Sequence, residues 1–242
     1  IDRGLVGSEM CIRDRDSYSP NGIIGEKDAC GVGFIANIKG VESNWILKQS
    51  LKGLNCMEHR GGCGGDSDSG DGAGILCSIP WGYLEEKINL KNTQEFNRGL
   101  GMVFMPNKKE KIEVCKSICD QEAEKLKVNK TSWRKVPVNN EILGPLAKAN
   151  APFICQWILY IDKKDHQDVE RLLFQLRKRI EKKIRETFKN DVGDCEFYFA
   201  SLSSQTVVYK GMVRSEILSE FYQDLKEESF KVSFSVYHRR FS

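Results

Sequence analysis

Alternating apolar and polar positions mark the strands of this chain. Val32, Phe34, Ala36 and Ile38 fall on one side of a period-two segment, which predicts a strand with that side buried. Residues 75–79, 99–105 and 153–160 read as further strands. So do 196–202 and 205–210, which adjoin through a Ser203-Ser204 turn, and a last one through Val232, Phe234 and Val236. A three- and four-residue spacing marks the helices. Ser43 is placed to cap a helix with Trp45, Ile46, Leu51 and Leu54 on its apolar face. Ile112, Cys115, Ile118, Cys119, Ala123 and Leu126 give a second over 108–126, and a third starts near Tyr83. A long helix over 165–188 carries its Lys, Arg and Glu residues on a solvated face, and 214–225 is the last. The glycine-rich 59–74 reads as a loop, and 129–150 as an irregular surface insertion. Periodicity alone allows α/β or α+β.

The first 29 residues carry no such pattern. Residues 1–15 look like a non-native artefact and are set aside from fold reasoning. Residues 16–29, with Ser-Pro-Asn-Gly turn chemistry, read as a short leader ahead of the folded stretch 30–242, expected to be the N-terminal part of a domain.

Composition narrows the class. A formal net charge of +3 over 242 residues gives no case for nucleic acid or a membrane surface. No apolar run approaches the roughly 18 residues of a membrane span. Nine cysteines without a secretory signal favour reduced thiols over a disulfide framework. Their spacings form no zinc pattern, and the three histidines, His59, His166 and His238, are scattered.

Two acidic or glycine-rich motifs invite other readings. A calcium loop starting at Asp66 would need Gly and Glu where Asp71 and Cys77 stand. A phosphate cradle at Gly70-Asp71-Gly72-Ala73-Gly74 would be repelled by Asp71 and lacks a following lysine.

An ordered series of motifs carries more. Cys30-Gly31-Val32-Gly33-Phe34-Ile35-Ala36 is followed by Met57-Glu58-His59-Arg60-Gly61-Gly62, then by Gly70-Asp71-Gly72-Ala73-Gly74. Later come residues 197–211 and Val236-Tyr237-His238-Arg239-Arg240-Phe241-Ser242. In this order they resemble the start of the glutamate synthase large chain, a class II glutamine amidotransferase domain of the N-terminal-nucleophile type. The loop after Arg60 and Ile79-Pro80-Trp81 are closer to the ferredoxin-dependent branch.

That resemblance implies an α+β fold, a four-layer αββα sandwich with two mostly antiparallel sheets. It implies a leader cut away to free the Cys30 amine. With an ordinary pKa of about 7.7–8.0, a neutral amine can take the thiol proton. Nucleophile and base then come from one residue, which leaves His59 a structural role. Arg240 matches the arginine that holds the glutamine α-carboxylate, a task suited to a planar fork. Arg239 falls on the opposite face of a strand and is expected to tolerate replacement. The implied partners are glutamine, ferredoxin and downstream synthase domains, which hold FMN and an iron–sulfur cluster; no cofactor belongs to this stretch. The expected compartment is the cytoplasm or the plastid stroma. The family's oxyanion-hole Asn-Gly and substrate-amine aspartate would lie beyond Ser242, leaving this stretch alone a poor enzyme. A degenerate, non-catalytic scaffold is the other class of reading, and the presence of Cys30 and Arg240 speaks against it.

Overall fold

In chain order the elements are β1 (Gly31–Ala36), α1 (Asn44–Cys56), β2 (Ser69–Ser78), α2 (Trp81–Ile88), β3 (Phe96–Met105) and α3 (Lys109–Lys125). They continue with β4 (Lys130–Lys135), α4 (Pro145–Ala149), β5 (Phe153–Asp162), α5 (His166–Thr187), β6 (Tyr198–Ser203), β7 (Thr206–Val213), α6 (Ser215–Phe221) and β8 (Phe234–Arg239). The computed structural model describes residues 31–58, 69–88, 96–162, 165–189 and 197–239.

Strand β5 belongs to two cores at once. Trp157, Leu159 and Ile161 pack under helices α3 and α5, whereas Ile154, Ile158 and Tyr160 face the other way. A strand covered on both sides needs apolar residues at nearly every position, so 153–160 is apolar but for Gln156. It lies in an antiparallel sheet of order β4-β5-β3-β6. On its outer side α5 buries Val169, Leu173, Leu176, Ile180 and Ile184, and α3 buries Ile112, Cys115, Ile118 and Cys119. Gly99 in β3 lets α5 come close, because a Cβ there would stand 3.1 Å from Leu173. Asp120 pins α3 to the sheet by accepting from Thr131 Oγ1, Trp133 Nε1 and Trp157 Nε1.

The second sheet has the order β1-β8-β2-β7, all antiparallel. Helices α1 and α6 cover it with Leu47, Leu54, Leu218 and Phe221. One apolar cluster holds Leu100, Met102 and Ile158 of the first sheet together with Ile75, Cys77 and Val207 of the second. Helix pairs outside and two sheets between make the four-layer αββα sandwich of an α+β fold.

A buried polar network joins the sheets as well. The Asp224 carboxylate, fully buried, accepts from both Nη atoms of Arg134 at 2.8 Å, from Tyr83 Oη at 2.8 Å and from Tyr209 Oη at 3.1 Å. Gln156 bridges Arg134 and Tyr209, accepting from the first and donating to the second. Burial and the Asp224 charge raise the phenol pKa values of Tyr83 and Tyr209, so both remain donors. A buried ion pair is tolerable only when its remaining hydrogen-bonding sites are filled in this way.

Several expectations need correction. The strand at 31–36 forms, but Val32 and Phe34 are 61% and 75% exposed, and Ile38 is open to solvent. The covered side is that of Gly33 and Ile35, because pairing with β8 sets Gly33 beside Tyr237 under α1. Trp45, expected on the buried face of α1, is 62% exposed. Residues 69–74, read as loop, begin β2, and 130–135, read as insertion, are a sheet strand. Strands β6 and β7 do not pair with each other; the turn between them carries the chain from one sheet to the other.

Tyr237 explains two glycines. A Cβ at Gly33 or at Gly53 would come within 2.5 Å of its ring or hydroxyl, so the tyrosine fills space left by both residues. Alanine is ordinarily the better helix former by about 1 kcal/mol. Here Gly53→Ala should instead lower stability by about 1–3 kcal/mol through overpacking, read as a drop in denaturant midpoint. Combining it with Tyr237→Leu should cost less than the sum of the two single changes.

Candidate active site

Strand β8 is the last described strand of the chain and lies between the first two. Its final residue, Arg239, is the Cα partner of Gly31 on one side and of Ala73 on the other. Cys30 and Arg240, the two residues singled out from sequence, lie outside the described residues, as do His59, Cys63, Asp66 and Asp68. Gly31 and Arg239 are their covalent neighbours.

Local sequence explains why the segments close up here. Pairing of β2 with β7 jumps from Ser69↔Val213 to Ala73↔Gly211, so Gly70, Asp71 and Gly72 form a bulge. Gly72 takes φ +112°, which a side chain would strain. A Cβ at Gly70 would stand 2.9 Å from the backbone of Val213 and Arg214. The Gly-Asp-Gly motif is therefore used for backbone geometry.

The bulge leaves the Gly72 carbonyl to Arg239. The Arg239 guanidinium is 1% exposed; Nη1 donates to Gly72 O at 2.9 Å and Nη2 to Glu58 Oε1 at 3.1 Å. Glu58, just after α1, also accepts from the backbone N–H of Ser215 at 3.1 Å, serving the open start of α6. Arg214 Nε reaches the same carboxylate at 3.4 Å. Burial pushes the Glu58 carboxyl up, but the Ser215 hydrogen bond and the Arg239 charge outweigh it and hold the group below its ordinary value.

This corrects the expectation for Arg239. Far from a tolerant neighbour of Arg240, it carries a buried, doubly bonded charge. Sequence alone assigns no role to Glu58 within Met57-Glu58-His59. A carboxylate at a helix end before a glycine-rich loop was the available signal, though its partner 181 residues away was not.

Of the five described thiols, Cys56 is exposed and the other four are buried. Burial lowers the pKa of His238, which keeps its ring neutral near neutral pH. Cys77, Cys115, Cys119 and Cys155 are buried; desolvation raises the Cys77 and Cys119 thiols strongly and Cys155 to about 11. Among the described residues no group of three His, Cys, Asp or Glu could hold a metal ion, and no helix is long and apolar enough to cross a membrane.

An αββα sandwich whose first described strand starts at Gly31, with the glycine-built bulge of β2 two strands away, is the frame of an N-terminal-nucleophile amidotransferase. Residues 30–242 match the family of class II glutamine amidotransferases, and the chain belongs to it. It is 43% identical over 92% of its length to the chloroplastic ferredoxin-dependent glutamate synthase of Oryza sativa subsp. japonica. The identity is 42% over 91% to ferredoxin-dependent glutamate synthase 1 of Arabidopsis thaliana, and 44% over 91% to ferredoxin-dependent glutamate synthase 2 of Synechocystis sp.. The chain spans 14% of the length of each of these relatives.

The lowered Glu58 pKa has a consequence for stability. Folded, the group binds fewer protons than unfolded, so its contribution is present above the ordinary carboxylate value of 4.5 and lost as pH falls through the lowered one. The wild-type advantage over Glu58→Gln in denaturant midpoint should therefore shrink below pH 4.5. Midpoints measured from neutral to acid pH check this.

Proposed function

We propose that this chain is the glutamine-hydrolysing part of a ferredoxin-dependent glutamate synthase, with Cys30 as nucleophile and first residue of the mature protein. The observation that carries this reading is that the family match begins at Cys30. Covalent connectivity adds to it, because Cys30 precedes Gly31 and Arg240 follows Arg239, and those two neighbours are partners across the ladder. The nucleophile and the carboxylate-binding arginine thus flank one paired position.

The chemistry follows from these roles. The Cys30 thiol gives its proton to its own neutral amine and its sulfur attacks the side-chain amide carbon of glutamine. The C–N bond breaks, the amine returns the proton to the leaving nitrogen, and ammonia departs. Water then cleaves the γ-glutamyl thioester, giving glutamate and the free thiol. Arg240 holds the substrate α-carboxylate through both steps. Ammonia passes to a 2-oxoglutarate site elsewhere in the parent protein. FMN, an iron–sulfur cluster and the docking of ferredoxin belong to that part. Cys115 and Cys119 are packed in the apolar core under α3 and α5, and Cys155 is buried.

Two measurements on the full-length parent test the assignment. Intact-mass analysis should give a mature chain beginning at Cys30. A mature chain that keeps Ala29 and still hydrolyses glutamine through Cys30 contradicts the amine-as-base mechanism. In steady-state glutaminase kinetics, Arg240→Ala should raise KM strongly with less effect on kcat, because the contact exists in ground and transition states alike. Loss of a desolvated charge partner, about 2–5 kcal/mol, corresponds to a fall in kcat/KM of roughly tens- to thousands-fold. Arg240→Lys should recover part of it.

A further inference from the structure

We propose that Arg239 is a positioning residue for glutamine hydrolysis, acting with Glu58 to hold the strand that follows the nucleophile. The inference rests on the reading of Cys30 above and adds two residues to it. The argument begins from where Arg239 sits. Its backbone is paired with Gly31, which follows Cys30, and with Ala73, which follows the bulge. Its side chain binds the carbonyl of Gly72 and the carboxylate of Glu58. One residue thereby joins the end of α1, the entry of β2, the start of β1 and the end of β8.

Apart from Arg239, ladder pairing and apolar packing hold these segments. β1 is the edge strand of its sheet, paired with β8 alone. Gly31 and Gly33 bring no side chains to anchor it. The bulge at Gly70 to Gly72 interrupts the β2–β7 ladder, so this end of β2 lacks regular pairing on that side. The Arg239 fork replaces the missing support with two charge-strengthened hydrogen bonds in a buried setting. Glu58 is fixed in turn by the Ser215 N–H and by Arg214. The carboxylate cannot swing away without leaving the start of α6 open and a guanidinium buried without its charge partner.

Such a brace matters for an attack geometry. The sulfur of Cys30 hangs from the first residue before the ladder, so any fray of the Gly31–Arg239 pair moves the nucleophile directly. A misplacement of about 1 Å can cost about 10²-fold in rate. The effect belongs in kcat, because the α-carboxylate contact of Arg240 is a separate interaction.

The experiment uses the full-length parent with Arg239→Met, Arg239→Lys, Glu58→Gln, the Arg239→Met/Glu58→Gln double variant, and Cys30→Ser as reference. Glutaminase kcat and KM are measured well below each variant's melting midpoint, so that every molecule assayed is folded. Arg239→Met should lower kcat by about 10–10²-fold with KM changed little. Arg239→Lys should restore part of kcat, and the double variant should lose no more than Arg239→Met alone, because both residues act through one contact. If Arg239→Met does not fold, Glu58→Gln keeps shape and volume and carries the same test. Folded variants with reduced stability but normal kcat overturn the proposal and leave the pair purely structural. A rise in KM at constant kcat overturns it too. If Cys30→Ser still turns over glutamine, the underlying reading fails; if it is inactive while the Arg239 and Glu58 variants are normal, this inference alone fails.

Discussion

The pairing of β8 between β1 and β2 is the constraint on which the rest of this end of the molecule depends. The two neighbours come early in the chain and the strand that separates them is the last described one, so the sheet closes only when residues far apart in sequence meet. Such long-range closure is entropically expensive until its contacts form. A slip of one residue would turn every β8 side chain to the other face. Arg239 would leave Glu58 and Gly72, and the Tyr237 ring would lose the gap made by Gly33 and Gly53. Register and site geometry are thus a single property.

A second long-range contact sets the relation between the sheets. Asp224 draws Arg134, Tyr83 and Tyr209 from three separate elements, and Gln156 completes the ring of donors and acceptors. Removing one partner would leave a buried charge unpaired, at a cost of about 3–5 kcal/mol. The network lies between strands and the turn after α6, so it stiffens the frame that carries the β1–β8–β2 end without taking part in it.

Residues whose role is set by their own segment were legible in the sequence. The stripes of α3 and α5, the Ser43 cap and the strands at 99–105 and 153–160 follow from periodicity and local hydrogen bonding, and all are found. The motif order gave the family and the sandwich. Residues whose role is set by a distant partner were not legible. The stretch 129–150 looked irregular because β4 carries Lys130, Arg134 and Lys135, and only Asp224, 90 residues on, makes Arg134 an interior residue. The apolar side of β1 invited the wrong face, because burial there is decided by α1 and the Tyr237 ring rather than by alternation. Arg239 looked dispensable beside Arg240 for the same reason: its two partners are more than 160 residues away.

The function drawn from this frame requires one cysteine to differ from all others. Four of the described thiols are buried, and desolvation raises those of Cys77, Cys119 and Cys155, whereas Cys56 is exposed; on the proposed reading the reactive thiol is that of the residue before Gly31. Labelling of the mature full-length protein with an electrophilic ketone analogue of glutamine tests this most directly. Inactivation should track the appearance of a single adduct on Cys30, with glutamine slowing both. Complete inactivation with the adduct on Cys56 or Cys63, and Cys30 unmodified, would contradict the account.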